Sequence, residues 1–298
     1  MKVLVTGCAG FIGSHLLSAC IEAGHEVVGL DNFSAGTHNK TFLNTLSGQF
    51  EFINADIRDL SSCVDACQDV DVVLHQAAIG SVPRSLKHPD LTFQNNVLGF
   101  HNMLYAAKCA GVHKFIYASS SSVHGDDGIL KSPYALSKFS NDLYAGHFAG
   151  YYGIQTVGLR YFNVFGPRQN PDGSYAAVIP KWAKLIAQRS PITIYGDGQQ
   201  SRDFTYVKNV VMANMRAMHE SFQKSGVYDI GCGDTYTLNQ LFHFMVNHMG
   251  VESPPLIVYT EARTGDVRYS KADITKAKAD FGYNPTWNLP MGLEDYLV

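Results

Sequence analysis

The sequence predicts an α/β protein, a doubly wound parallel sheet joined to a smaller α+β lobe. Short β-branched runs alternate with longer amphipathic ones over about the first 160 residues, which is the βαβ pattern of a parallel sheet. Beyond Asn163 the texture changes to loops carrying Gly166, Pro167, Pro171 and Gly173, followed by shorter runs. The chain has 298 residues, 46% of them hydrophobic, and sets 23 Lys and Arg against 26 Asp and Glu, so it can bury a large core at a net charge of −3. That composition excludes disorder and coiled coil. No basic block offers a nucleic-acid footprint, and no apolar run approaches the roughly 20 residues of a membrane-spanning helix, so neither partner is expected.

In chain order, strands are expected at residues 2–6, 26–30, 50–54, 71–75, 113–118 and 155–161, with helices at 11–23, 91–110 and 134–152. The apolar start up to Gly13 is read as mature structure, because glycines punctuate it and no small-residue cleavage site follows. Later helices are expected at 176–188 and 207–219, and residues 227–230 return to the first sheet. No Gly-, Ser- or Pro-rich linker marks a boundary, so residues 1–165 are expected mainly in one lobe and 166–298 mainly in the other. Cys8, Cys20, Cys63, Cys67, Cys109 and Cys232 are scattered, the usage of reduced thiols in a cytoplasm. Cys63 and Cys67 share a helix face but lack two further ligands at a metal spacing.

The first strand runs into Gly7, Gly10 and Gly13, spaced three apart and opening a helix. Backbone without Cβ admits a pyrophosphate closely, and the helix N-terminus favours an anion. The second strand ends in Asp31, 18 residues beyond Gly13, where a carboxylate accepts from ribose hydroxyls and repels a 2′-phosphate. Together they predict a Rossmann-type site for NAD rather than NADP. Asp56 and Ile57 follow the third strand toward the adenine edge, and Gln76, Ala77 and Ala78 follow the fourth.

Tyr134 and Lys138 stand four apart on one helix face, where an ammonium can lower the phenol's pKa and hold a cofactor ribose. The same spacing also suits a solvated face. Ser119, Ser120, Ser121 and Ser122 end the preceding strand, and strand C-termini of open α/β sheets line the ligand crevice.

These residues, with Tyr161-Phe162-Asn163-Val164-Phe165-Gly166-Pro167-Arg168, Ser201-Arg202-Asp203-Phe204 and Arg263-Thr264-Gly265-Asp266-Val267, identify a resemblance covering nearly the whole chain. It resembles the extended short-chain dehydrogenases/reductases, in the nucleotide-sugar epimerase and dehydratase group. The resemblance implies that Ser120, Tyr134 and Lys138 are catalytic, with NAD taking a hydride from carbon 4 of the sugar as Tyr134 removes the hydroxyl proton. It implies cofactor contacts from Phe11, Ile12, Asn32, Asn96 and Tyr161 as well as from the residues above. Dehydratases of the group carry an Asp-Glu pair where this chain has Ser121 and Ser122, so epimerisation is expected instead of water loss. Residues 1–165 then become the NAD lobe and 166–298 the sugar-nucleotide lobe.

Segments 80–85, 169–182 and 265–270 look most like UDP-N-acetylglucosamine 4-epimerases. In that group a small residue at the position of Ser270 admits an N-acetyl group. The resemblance also implies substrate contacts from Ser81, Arg84, Ser120, Ser121, Ser122, Asn163 and Val178, with Arg202 and Arg263 on the diphosphate. Tyr195 would flank the uracil, or else be a strand residue in a core. Two departures stand out. His124-Gly125 replaces the usual Tyr-Gly, and nine residues separate His124 from Tyr134, about half the usual number. Alternatives are a UDP-glucuronate 4-epimerase, for which Arg84 offers a cation, a UDP-glucose 4-epimerase, a dehydrogenase releasing NADH, and a non-catalytic NAD-binding relative. The long helices match those that pair in homodimers of the group.

Overall fold

In β1 (Lys2–Thr6), Val3 and Val5 face one side of the sheet and Leu4 the other, and all three are inaccessible to solvent. A strand apolar on both faces needs cover on both, and the chain supplies it. The computed structural model describes residues 1–125, 128–172, 176–263 and 265–297. After β1 come β2 (Glu26–Asp31), β3 (Glu51–Asn54), β4 (Val72–His75), β5 (Lys114–Ser120) and β6 (Gln155–Tyr161). Short strands follow: β7 (Val164–Phe165), β8 (Ile192–Tyr195), β9 (Ser201–Arg202), β10 (Thr205–Tyr206), β11 (Gly226–Ile230), β12 (Tyr236–Thr237) and β13 (Ile257–Thr260).

The main sheet runs β11-β6-β5-β4-β1-β2-β3 with every neighbouring pair parallel. Strand order reverses between β1 and β4, the switch point at which such sheets open a crevice. The late strand expected at 227–230 returns as β11, pairing with β6 from Gly226↔Val157 to Ile230↔Tyr161.

Helices α1 (Phe11–Glu22), α2 (Lys40–Thr45), α3 (Leu60–Ala66), α4 (Val82–Lys87), α5 (Pro89–Phe93), α6 (Gly99–Cys109) and α7 (Pro133–Tyr152) belong to the first half. The second half adds α8 (Val178–Ala187), α9 (Val207–Met218), α10 (Leu238–His248), α11 (Thr275–Phe281) and α12 (Leu289–Leu297). One face of the sheet packs Leu16, Leu17 and Cys20 of α1 with Val210 and Ala213 of α9. The other packs Cys63 of α3, Phe100 and Met103 of α6 and Phe148 of α7. Cys63 and Cys67 lie in that second core, where burial pushes both thiols up to about 12. A third core, around Trp182, Ile194, Phe204, Leu241 and Leu293, gathers elements of the second half of the chain.

The helix expected over 91–110 is three pieces. Between α5 and α6 the chain makes a π-turn over Gln94–Leu98. Gly99 there lies so close to Ile57 that a Cβ would stand 2.6 Å from its Cδ1. An extra residue in a turn rotates every following side chain relative to an unbroken α-helix, and this alters which asparagine reaches the site.

Candidate active site

The first strand's C-terminal turn is tight enough to exclude side chains. Gly7 has φ +67°, and a Cβ there would lie 2.8 Å from the Ala77 nitrogen. Gly10 donates its N–H to the Gly7 carbonyl at 2.9 Å, and a Cβ on Gly13 would lie 2.0 Å from that same oxygen. Gly10 caps α1 with no side-chain bond, and the first turn holds no acidic residue. The amides at that helix end are therefore left for an anion.

Asp31, at the end of β2, accepts from the Ala9 N–H at 2.9 Å on one oxygen and from Phe33 at 2.7 Å on the other. Burial raises its pKa and these amides oppose the rise. Each oxygen keeps a lone pair for a ribose hydroxyl. Asn32 donates to Asp56 at 2.9 Å, and Arg58 grips the same carboxylate at 2.6 Å, holding it below the usual range.

Between these walls lies an open cleft to which Gly7, Gly10, Asp31, Asn32, Asp56, Ile57, Gln76, Ala77 and Ala78 all contribute. The glycine cradle and the ribose-reading carboxylate fit a dinucleotide. Phe11, Ile12 and Gly13 form the first turn of α1 and so present those amides, while the Phe11 ring meets His15 edge-on at 5.8 Å, Ile12 packs on the core and Gly13 meets Gly7. Asn96 is also internal, donating to the Ile79 carbonyl and the Ser137 hydroxyl and accepting from the Ile79 N–H at 2.8 Å. It braces the loop after β4, while its neighbour Asn95 lines the cleft. Reading 91–110 as one regular helix hides that exchange. The Tyr161 hydroxyl is likewise internal, donating to Gln76 Oε1 at 3.1 Å and accepting from Asn214 at 2.9 Å. Leu30, Ser34, Ala35, Ala55 and Ile79, which carry no motif, complete the lining.

Ser120 ends β5 opposite Tyr161 in register. Its Oγ accepts from the Ser122 N–H at 3.2 Å, so Ser121 and Ser122 form the turn leaving the strand. Helix α7 then starts where Ser132 accepts from the Ala135 N–H at 3.1 Å with Pro133 in its first turn. This places Tyr134 against Ser120, whose hydrogen bond lowers the phenol's pKa while burial raises it more. The expectation that Lys138 lowers that pKa needs correcting, because burial holds the phenol above its ordinary value and the opposing pull is that of Ser120. The Lys138 ammonium is itself buried, donates to the Ala118 carbonyl at 2.8 Å, and is pushed down to about 8 by burial against the pull of Asp142.

In the second lobe, Arg202 is buried and donates to Asp266 at 2.5 Å and to the Ser201 carbonyl at 2.8 Å. The Ser270 N–H donates to that Ser201 carbonyl at 3.2 Å, so the arginine and the small residue share one anchor. In β8 the residues alternate in burial, with Ile192 and Ile194 inside, so Tyr195 faces out of the core. The Arg263 guanidinium stacks 3.7 Å above the Tyr195 ring. Asn163 is exposed at φ +27° with its carbonyl accepting from Thr205, Val178 opens α8, and Ser81 caps α4 by accepting from the Arg84 N–H at 3.2 Å. Gly173, Ser174, Tyr175 and Thr264 lie outside the described residues. Past His124 the chain doubles back, with Gly125 at φ +61° where a Cβ would lie 2.1 Å from the Ile129 carbonyl oxygen. His124 Nε2 meets Asp229 at 2.9 Å.

The NAD dependent epimerase/dehydratase family model matches residues 3–231. The chain belongs to this family. Its cofactor is NAD, and it is an enzyme. Solved structures of family members superpose over nearly all of it. A UDP-N-acetylglucosamine 4-epimerase from Methanobrevibacter ruminantium M1, in complex with UDP-N-acetylmuramic acid, is 35% identical with a TM-score of 0.92, covering 99% of this chain and 96% of that one. A UDP-glucose 4-epimerase from Thermotoga maritima with UDP-glucose is 34% identical with a TM-score of 0.91, covering 100% and 97%. A UDP-glucuronic acid 4-epimerase from Bacillus cereus, with UDP-glucuronic acid and NAD, is 33% identical with a TM-score of 0.90, covering 100% and 98%. The three share a position of chemistry and differ in the sugar.

Proposed function

We propose that the protein is an NAD-dependent UDP-hexose 4-epimerase that interconverts UDP-N-acetylglucosamine and UDP-N-acetylgalactosamine. The observation that carries the sugar is Ser270, a small side chain held through Ser201 beside Arg202. NAD, when bound, supplies the hydride acceptor and donor for carbon 4. Tyr134 in its phenolate form, favoured by the neighbouring Lys138 charge, would take the hydroxyl proton at its phenolic oxygen and return it, and Ser120 would hydrogen-bond the same substrate oxygen. Lys138 holds the ribose and keeps positive charge beside the phenol. Arg202 and Arg263 bind the diphosphate, whose charge competes with Asp266 for the first and adds to the stacking of the second. Ser121 and Ser122 stand in place of the carboxylates that would supply an acid and a base for water loss, so these residues favour epimerisation over dehydration. The direct test of the cofactor half is denaturing the purified protein and measuring released NAD, expected near one per chain and contradicted by none with none rebinding.

The Lys138 ammonium gives the reading a pH signature. Its charge is present below about 8 and is lost as pH rises through that value. The kcat/KM of the enzyme is therefore expected to fall on the alkaline side with an apparent midpoint near 8, and Lys138→Met should abolish that limb along with most activity. A flat profile up to pH 10 would remove Lys138 from the mechanism.

We further propose a homodimer that pairs across α5, α6 and α7. Phe93, Leu98, Leu136, Leu143 and Tyr151 are all exposed there, with Tyr151 77% accessible, and an apolar face of that breadth calls for a partner. Sedimentation is expected to give twice the chain mass at micromolar concentration, and Leu143→Glu to halve it. A monomeric wild type would contradict this.

A further inference from the structure

Asp203 carries no assigned role, yet its carboxylate is wholly buried and, among the described residues, its hydrogen bonds include no cationic partner. It accepts from the Cys232 N–H at 2.8 Å on one oxygen, and from the Gly233 N–H at 2.8 Å and the Ala272 N–H at 3.3 Å on the other. The Thr205 hydroxyl stands 3.5 Å away. Three chain segments therefore meet at one side chain: the Arg202 strand, the turn after β11, and the stretch that contains Ser270.

The backbone explains why a carboxylate sits there. Ser201 donates to the Arg268 carbonyl at 3.0 Å and Ser270 donates to Ser201 at 3.2 Å, a short parallel ladder. Two residues further on, the Ala272 N–H finds the Asp203 side chain, which continues the ladder after the backbone has diverged. Gly231 leaves the room for it, since a Cβ there would lie 2.7 Å from Asp203 Oδ2 and 2.5 Å from the Ala272 Cβ. Tyr283 donates to the Gly231 carbonyl at 2.8 Å and closes the turn from behind.

We propose that Asp203 is a positioning residue for the nucleotide sugar, fixing the spacing between Arg202, which meets the diphosphate, and Ser270, which meets the sugar. This rests on the function proposed above. It acts through the two flanking residues and not by touching the ligand, so its loss should loosen binding and spare the chemistry and the NAD cleft on the other lobe.

The test uses UDP as the probe, by calorimetry on the NAD-loaded protein. Asp203→Asn turns one acceptor oxygen into an N–H donor facing other donors, and Gly231→Ala presses on the same two partners without changing charge. Both are expected to weaken UDP binding and raise the KM for the UDP-sugar by about tenfold or more, with NAD content retained and kcat little changed. Variants that hold NAD and bind UDP as wild type does would overturn the proposal. Wild-type protein that holds NAD but does not bind UDP would instead overturn the nucleotide-sugar reading beneath it. If neither variant folds, amide exchange in the wild type decides: slow exchange at Cys232, Gly233 and Ala272, slowed further by UDP, supports the role, and exchange unaffected by UDP overturns it.

Discussion

Tyr134→Phe is expected to lower kcat by about 10²- to 10⁴-fold, the range attached to loss of a positioned proton acceptor, while NAD content and UDP affinity stay near wild type. The substitution keeps the ring in its place at the start of α7 and removes only the oxygen bonded to Ser120. Because that oxygen lies outside the cleft formed around Asp31 and the glycine turn, cofactor retention should not depend on it. Stopped turnover with retained NAD would support the assignment. Loss of NAD together with turnover would show that the hydroxyl serves binding and not proton transfer.

Gly13→Ala is the second large effect. The new methyl would stand 2.0 Å from the Gly7 carbonyl oxygen and 2.7 Å from its carbon. Both are backbone atoms, so no flexible side chain can yield. Either α1 shifts away from β1 or the Gly7 turn opens, and overpacking of this kind costs about 1–3 kcal/mol. The movement lands on the turn whose amides face the cofactor phosphates. The variant is expected to purify with little NAD, and to melt lower than wild type even when both are stripped of cofactor. Heat denaturation followed by chromatography of the supernatant reads the first quantity. A full complement of NAD would contradict the cradle.

The two glycine-dependent features were legible in the sequence because chemistry leaves no alternative at those positions. Gly7 has positive φ, Gly13 has no space for a methyl, and Asp31 ends a strand at a fixed distance from both. The strand pattern was legible for a related reason, since residues such as Val3, Leu4 and Val5, apolar on both faces, have one home in a parallel sheet. Asn95 lines the cleft while Asn96 bonds inward, a difference set by the π-turn that periodicity does not register. Tyr161 has its hydroxyl spent on Gln76 and Asn214, a pairing across 85 and 53 residues that no local pattern signals. Lys138 shows a different limit. Spacing puts it one turn from Tyr134, but only the packing reveals that burial has weakened its own charge and left the phenol high. Asp203 had no signal beyond membership of a motif, because its three amide partners come from segments up to 69 residues away.

The sugar is the open point of specificity, since relatives of similar identity are named for UDP-glucose, UDP-N-acetylglucosamine and UDP-glucuronic acid. The decisive measurement is incubation of the purified protein with UDP-N-acetylglucosamine and no added NAD, with products resolved by NMR, and with UDP-glucose and UDP-glucuronate in parallel. Formation of UDP-N-acetylgalactosamine, faster than either parallel conversion, is the predicted result. Unchanged UDP-N-acetylglucosamine alongside conversion of UDP-glucose or UDP-glucuronate would contradict the role given to Ser270, and no conversion of any of the three, with NAD added, would contradict the epimerase reading itself.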